Sequence, residues 1–340
     1  MKDKVLVITN ENINIEDGFS CDNLDMKSIP ESLSKNFNIT LIGRLSKKKK
    51  FHFIKIDKVF ALKNIFLYLK FIVQENKKET NLINLIISIT PYTFLATLVI
   101  FFLKKKPSIY LRSDGFLEYK KILGFFGSFI YGFMFAIVSK FSNLISCREH
   151  ILKKKPGKIV NPSHLTQIWF NNLKEQSLTA EIKLLYIGRL NIEKGIFNLL
   201  KLIDGIKTNI KLSIITSKNK HHLVKKNSKV NLLDNLNNED LINAYDNCNI
   251  FILPSFTEGH PQVLDEALAR RRPVIIFEDI AHVNRNRRGI FICKRESRSL
   301  TAVIEFIIKN YNLIQKEMKS NLLPTKDDFI KDLSNNLKNL

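Results

Sequence analysis

The chain has 340 residues, more than one hydrophobic core usually serves, which points to two α/β domains. A hydrophobic fraction of 45% with 10% aromatics excludes a disordered chain. Lys+Arg 54 against Asp+Glu 32 leaves a net charge of +22, with the larger excess in the first half, so negatively charged partners are favoured. Much of that charge comes in runs, Lys47–Lys50, Lys104–Lys106, Lys153–Lys155 and Arg270–Arg272. Solvated surface accounts for such runs; attraction to phosphates or to an anionic membrane face accounts for them equally.

Lys4–Thr9 is an apolar run of the kind a buried parallel strand makes. A loop with Asp17-Gly18, a helix over Asn23–Lys35 and a strand over Ile39–Gly43 follow. Phe60–Glu75 has helical spacing of Phe, Leu and Ile, and Leu82–Ile89 reads as a strand. Leu82–Leu103 carries no charge before Lys104. Pro91 sits inside it, so strand, turn and a buried helix Tyr92–Leu103 compete with a membrane span. Ser108–Arg112 is the next strand. Ile122–Ser139 is a second long apolar stretch, with three readings: span, helix docked on a membrane by its apolar face, or core helix. Asn143–Ser146, a short helix Arg148–Lys155 and Lys158–Val160 bring the first half to Asn161-Pro162, after which a polar segment to Glu181 reads as the interdomain connection. Cys21, Cys147, Cys248 and Cys293 are scattered and the start MKDK is polar, which favours a reduced, cytoplasmic protein without structural zinc or disulfides.

The second half opens with the strand Lys183–Ile187, then Gly188-Arg189-Leu190 and Glu193-Lys194-Gly195 at the mouth of a helix. A glycine turn with two cations just beyond a strand is what a diphosphate site needs: Arg189 can grip two oxygens and Lys194 adds a point charge. Strands Lys211–Ile215 and Lys229–Leu233 and a helix Asn238–Asn247 follow. The stretch Ile250–Phe277 then reads as strand, tight loop, helix, strand. Pro261 suits the first helical turn, where its missing amide costs nothing. Glu258, Gly259 and His260 precede it and Glu266 follows, around a helix start that favours an anion. Taken alone, each carboxylate is an ordinary helix-start or helix-surface acid.

Gly188-Arg189-Leu190 with Lys194-Gly195, followed about 60 positions later by Glu258-Gly259-His260-Pro261 and Glu266-Ala267, resembles the family 4 glycosyltransferases of the GT-B fold. The resemblance is specific over Lys183–Phe277. It implies two Rossmann-like doubly wound domains facing across a cleft: residues 1–164 for the acceptor, 165–320 for the nucleotide-sugar donor, and a closing helix within 321–340 packing back on the first domain. It further implies transfer with retention, a UDP- or GDP-sugar as co-substrate, and no essential metal or other cofactor. On that resemblance Arg189 and Lys194 bind the diphosphate, beside the Gly188 turn. Glu258 contacts the donor sugar with the amides of Gly259 and His260 ahead of Pro261, and Glu266 holds the ribose hydroxyls.

Three departures stand out. Arg270-Arg271-Arg272 replaces the small pair common before the last strand of this motif. The first-domain loop has little glycine beyond Gly18. No histidine lies between Phe53 and Glu149, so Asp114, in Arg112-Ser113-Asp114-Gly115, is the candidate for the first-domain catalytic position. An Asp-Gly turn with a helix cap explains Asp114 equally well. Asn284–Arg288 is a basic loop before the strand Gly289–Ile292, Leu300–Lys319 a helical run, and Lys326–Leu340 the closing helix. The expected partners are a nucleotide-sugar donor, a glycan or polyprenyl-linked saccharide acceptor, and an anionic membrane surface on the inner face of the cell membrane. The competing readings are a nucleotide-sugar epimerase or inverting transferase of the same fold, and a basic nucleic-acid-binding protein. Nothing resembling an RNP cluster, helix-turn-helix or zinc spacing supports the last, so no specific nucleic acid is expected.

Overall fold

The computed structural model describes residues 2–338 apart from 17, 49, 175, 176, 226 and 235. Asp17 of the first-domain loop, Lys49 of the first lysine run and the last two residues of the closing helix thus lie outside the described residues. The chain forms two compact units, residues 1–162 with 327–340, and residues 163–326.

The first unit is a seven-stranded sheet in the order Lys58–Leu62, Asn38–Leu45, Lys4–Ile13, Ile83–Ile87, Ser108–Leu111, Asn143–Ser146, Lys158–Ile159. Every neighbour pair runs parallel. Helices cover both faces, so the inner strands carry apolar runs: Val5, Leu6, Val7 and Ile8 are all fully buried. Lys58–Leu62 is a strand where helical spacing predicted the start of Phe60–Glu75. The helix begins only at Ile65, because the Asn64 side chain accepts from the Leu67 amide and caps it there. Leu82–Leu103 resolves into the strand Ile83–Ile87 and the helix Pro91–Phe102, opened by a capping box between Thr90 and Thr93. The helix Lys326–Lys338 buries Phe329, Ile330, Leu333 and Leu337 in the first unit's core. There Phe329 meets Tyr110 at 5.9 Å between ring centroids.

By length and composition the stretch Gly115–Phe141 would cross a bilayer. It is not one straight helix. Gly124 is non-helical, with φ 64° and ψ −151°. The Phe116 ring lies 4.9 Å from that of Tyr131 and 5.6 Å from that of Phe135. On an unbroken helix, residues fifteen apart would be about 22 Å apart along the axis. The chain therefore doubles back at Gly124 into a helical hairpin. Gly127 lets the arms meet, since a Cβ on it would stand 1.9 Å from the Tyr119 carbonyl oxygen. Of the second arm, Tyr131, Met134, Phe135 and Val138 pack into the core.

The second unit has six parallel strands in the order Val230–Leu233, Ile210–Ile215, Ile182–Ile187, Ile250–Leu253, Val274–Phe277, Ile290–Cys293. In chain order this is 3-2-1-4-5-6, the doubly wound pattern whose switch point falls between Ile182–Ile187 and Ile250–Leu253. Leu300–Lys319 is two helices, Ser297–Lys309 and Tyr311–Met318, parted at Asn310. Glu149–Leu152 is only a short 3-10 turn. In the polar segment before Glu181, Trp169 is buried against Tyr245, at 5.7 Å between rings.

The arginine run is not a solvated surface. Arg270 and Arg272 are 1% and 0% exposed, and both reach Asp246 at the end of the helix Asn238–Asp246. Arg270 spans that carboxylate with two nitrogens and donates on to the carbonyls of Trp169, Asn171 and Asn172. Arg272 donates to the carbonyls of Tyr245 and Lys174. Two cations thus fasten the entry segment of the unit to the end of the helix Asn238–Asp246. Removing one partner strands a buried charge. Arg270→Ala is expected to cost about 3–5 kcal/mol in urea unfolding, against about 0.5 kcal/mol or less for Arg271→Ala; equal costs would refute the clamp.

Candidate functional site

The loops that follow the two strands at the switch point, 188–195 and 254–261, are in contact because Gly195 has no side chain. Gly195 has φ +66°, and a Cβ there would stand 1.9 Å from the Pro254 carbonyl oxygen. The Phe256 amide donates to the Glu193 carbonyl at 2.9 Å, which laces the loops together. Beneath them the buried Tyr186 hydroxyl donates to the Arg189 carbonyl at 2.9 Å, fixing the turn at Gly188.

Gly188, Arg189, Lys194, Glu258, His260 and Pro261 all line one hollow of about 290 Å³. Lys194 Nζ is 2.6 Å from Glu258 Oε1, and the Ser255 hydroxyl donates to the same oxygen at 2.6 Å. Arg189 is exposed, with no ion pair to its guanidinium among the described residues. Pro261 stands one position before the helix Gln262–Ala269, as its cap residue, with φ −74° and ψ 108°. Gln262 and Val263, which open that helix, also line the hollow, so the positive end of the helix dipole stands beside it. A larger space of about 500 Å³ lies beside Gly289 and Phe306, but none of the motif residues reaches it, so size alone does not mark the site.

His260 is locked in place. Its Nε2 donates to Asp265 Oδ2 at 2.9 Å and its Nδ1 accepts from Arg285 at 2.5 Å. Arg287 pairs with the other oxygen of Asp265. Burial works against the Asp265 charge, yet His260 and Arg287 hold its carboxyl below the ordinary range. The basic loop 284–288 is thus a strap on the 258–261 turn. His282 Nε2 adds a contact of 2.8 Å to the Glu258 carbonyl.

Glu266 sits one helical turn beyond Gln262 and does not line the hollow itself. The Tyr245 hydroxyl, between the Val263 carbonyl and Glu266 Oε2, lies 2.8 Å from the carboxylate. Burial pushes this carboxyl up to about 7, against the opposing pull of the Tyr245 hydrogen bond.

Asp114 is in the other unit. Its Oδ1 caps the helix Gly115–Phe141 by accepting from the Phe116 and Leu117 amides at 3.0 and 3.3 Å, and Oδ2 pairs with Lys153 at 2.9 Å. It is 8% exposed, and cap plus ion pair account for both its oxygens. Gly18 takes φ +94° with open space around it.

Arg295 escaped the reading of the sequence, because nothing in its local pattern marks it. Its guanidinium stacks over Phe256 at 3.9 Å and Phe277 at 4.5 Å, donates to the Ser255 carbonyl at 2.8 Å and pairs with Asp279. It carries the loop that presents Glu258. Among the described residues no group of three His, Cys, Asp or Glu side chains is placed to hold a metal ion.

Residues 168–321 match the family described as Glycosyl transferases group 1. CapM of Staphylococcus aureus, named a capsular polysaccharide biosynthesis glycosyltransferase, is 29% identical over 140 residues, 38% of this chain and 37% of CapM. TuaC of Bacillus subtilis, named for teichuronic acid biosynthesis, is 37% identical over 97 residues, 26% of this chain and 23% of its own. These matches span well under half the length of either relative. Among solved structures, Anabaena HepE in complex with UDP superposes over 100% of both chains with a TM-score of 0.71 at 13% identity. Sucrose-phosphate synthase from Thermosynechococcus elongatus covers 99% of both chains with a TM-score of 0.69 at 14% identity. Residues 168–321 are therefore a group 1 glycosyl transferases domain, carried on a chain with the GT-B fold.

Proposed function

We propose that this chain is a retaining glycosyltransferase that moves a sugar from a UDP- or GDP-sugar to a glycan or polyprenyl-linked saccharide, in cell-surface polysaccharide biosynthesis. One observation carries the reading: Arg189, Lys194 and Glu258, drawn from two separate loops, line one hollow at the switch point of the group 1 domain. The relatives named for polysaccharide biosynthesis support the pathway class, and HepE structures holding UDP or UDP-glucose support the donor class.

In the proposed reaction the bond from the anomeric carbon to the donor diphosphate breaks. The acceptor hydroxyl oxygen bonds to that carbon on the same face, and its proton passes to the leaving phosphate. Charge grows on the diphosphate as it departs, so fixed cations are worth most at the transition state. Arg189 can take two of its oxygens, and the amides opening the helix at Gln262 add the positive end of a helix dipole. Lys194 is engaged with Glu258. A bound diphosphate draws the ammonium away and leaves the Glu258 carboxylate to accept from sugar hydroxyls. Glu266 accepts from the ribose hydroxyls once ionised. These groups supply the electrostatic work without a metal, which is the reading we adopt. The acceptor's lipid places the reaction at the cytoplasmic face of the cell membrane.

Lys194→Ala and Glu258→Ala are expected to lower turnover by about 10²-fold or more, with an unfolding transition close to that of the parent chain. Full turnover by either would overturn the assignment. Among UDP-, GDP-, ADP- and dTDP-sugars, the true donor at one hundred times its Kd should stabilise the chain by about 2.7 kcal/mol in thermal unfolding.

Glu266 also makes a pH prediction. Its folded pKa of about 7 stands above the ordinary 4.5, so the native chain holds a proton that the unfolded chain releases between those values. The stability it contributes is whole below 4.5, falls as pH rises through about 7, and levels off above. Glu266→Gln should remove that fall. Its thermal midpoint should drop less than the parent's between pH 5 and 8, with loss of donor stabilisation. Parallel pH profiles for the two chains would sink the assignment.

A further inference from the structure

The hairpin within Gly115–Phe141 ends in a tip that gathers exposed apolar side chains. Residues 120–126 are seven consecutive exposed positions, Lys-Lys-Ile-Leu-Gly-Phe-Phe. Ile122 is 74% exposed, Phe125 81% and Phe126 75%, and Phe129, on the next turn, is 73% exposed. Neither arm is short of a core partner. Phe116, Tyr131 and Phe135 stack among themselves at 4.9 to 6.3 Å, and the second arm packs on the sheet. The tip aromatics are thus surplus to folding, and their exposure is costly in water.

We propose that this hairpin tip is a membrane anchor, which seats Ile122, Leu123, Phe125, Phe126 and Phe129 among the acyl chains just below the headgroups of an anionic bilayer. Three features select lipid over a protein partner. The tip is a convex turn, and fluid acyl chains accept protruding side chains without a shaped pocket. Lys120 and Lys121 flank the apolar residues directly, where their stems can lie along the acyl boundary while the ammonium groups meet lipid phosphates. The arms return into the core instead of running on, so the segment can enter one leaflet and cannot cross two. Gly124 is required because the reversal uses φ 64°, a conformation that side chains rarely adopt. The anchor deepens the reading of a lipid-linked acceptor, and rests on it only for purpose; docking is measured without donor or acceptor.

The experiment is flotation of the full chain with vesicles of phosphatidylglycerol and phosphatidylcholine, against vesicles of phosphatidylcholine alone, at low and high salt. The parent chain should float with the anionic vesicles. The double variant Phe125→Ser, Phe126→Ser should lower the bound fraction at least tenfold at either salt concentration. Lys120→Glu with Lys121→Glu should lower it at low salt and have less effect at high salt, where the lysines are screened. Phe126→Trp should show a blue-shifted emission on binding. Equal flotation of the parent chain and the double serine variant would overturn the proposal. So would a parent chain that ignores vesicles but forms a dimer abolished by the serine variant, which would make a second copy the occupant. Thermal stabilisation by donor, measured on the same serine variant, should be unchanged. Loss of that stabilisation in the parent chain would sink the glycosyltransferase reading and leave the vesicle result standing.

Discussion

A carbonyl oxygen and a missing methyl group set the geometry of the second unit. With a hydrogen in place of a side chain, Gly195 lets the Pro254 carbonyl come within 1.9 Å of where a Cβ would stand. That approach draws the loop after the first strand under the loop after the fourth. The Phe256 amide then reaches the Glu193 carbonyl, and Lys194 reaches Glu258. Side chains 64 positions apart in sequence share a hollow because two backbones touch below them. The rest is buttressing: Arg295 stacked under one loop, Tyr186 pinning the other, and the 284–288 strap holding His260.

The charge of +22 therefore divides into parts with different physics. Arg270 and Arg272 are interior struts, with Asp246 and a set of backbone carbonyls accepting their hydrogen bonds. Arg285 and Arg287 are spent on His260 and Asp265. Arg189 remains exposed at the hollow, and Lys120 and Lys121 stand at the hairpin tip. Composition reports the total; only partners reveal which cations still have field to offer a ligand or a surface.

The parallel strands were legible because burial on both faces writes them as unbroken apolar runs; Val274–Phe277 is fully buried along its length. The residues of the hollow were legible because glycine, cations and carboxylates recur there at a spacing that resembles a known motif. Lys58–Leu62 was misread since an edge strand beside a helix blurs the period, and the Asn64 cap that separates them is one residue. The arginine run was misread for a different reason. Sign is local, but the carboxylate that neutralises Arg270 lies 24 positions away. Asp114 left two readings open, and its hydrogen bonds to the Phe116 and Leu117 amides are those of the cap. Gly124 and Gly127 were visible inside an apolar run, where glycine is a known breaker, yet their effect depends on which ring each arm meets.

The helix Lys326–Lys338 gives the first unit a delayed completion. Asn36 bonds Ser334 across 298 positions, and Tyr110 waits for Phe329. During synthesis the sheet of residues 4–159 emerges with one flank bare, while the second unit can close on contacts wholly its own. Translation order and assembly order therefore part company here. The helix that seals the first unit is made after the whole of the second, so a chain cut after residue 326 would keep every segment of the second unit and leave the first unroofed.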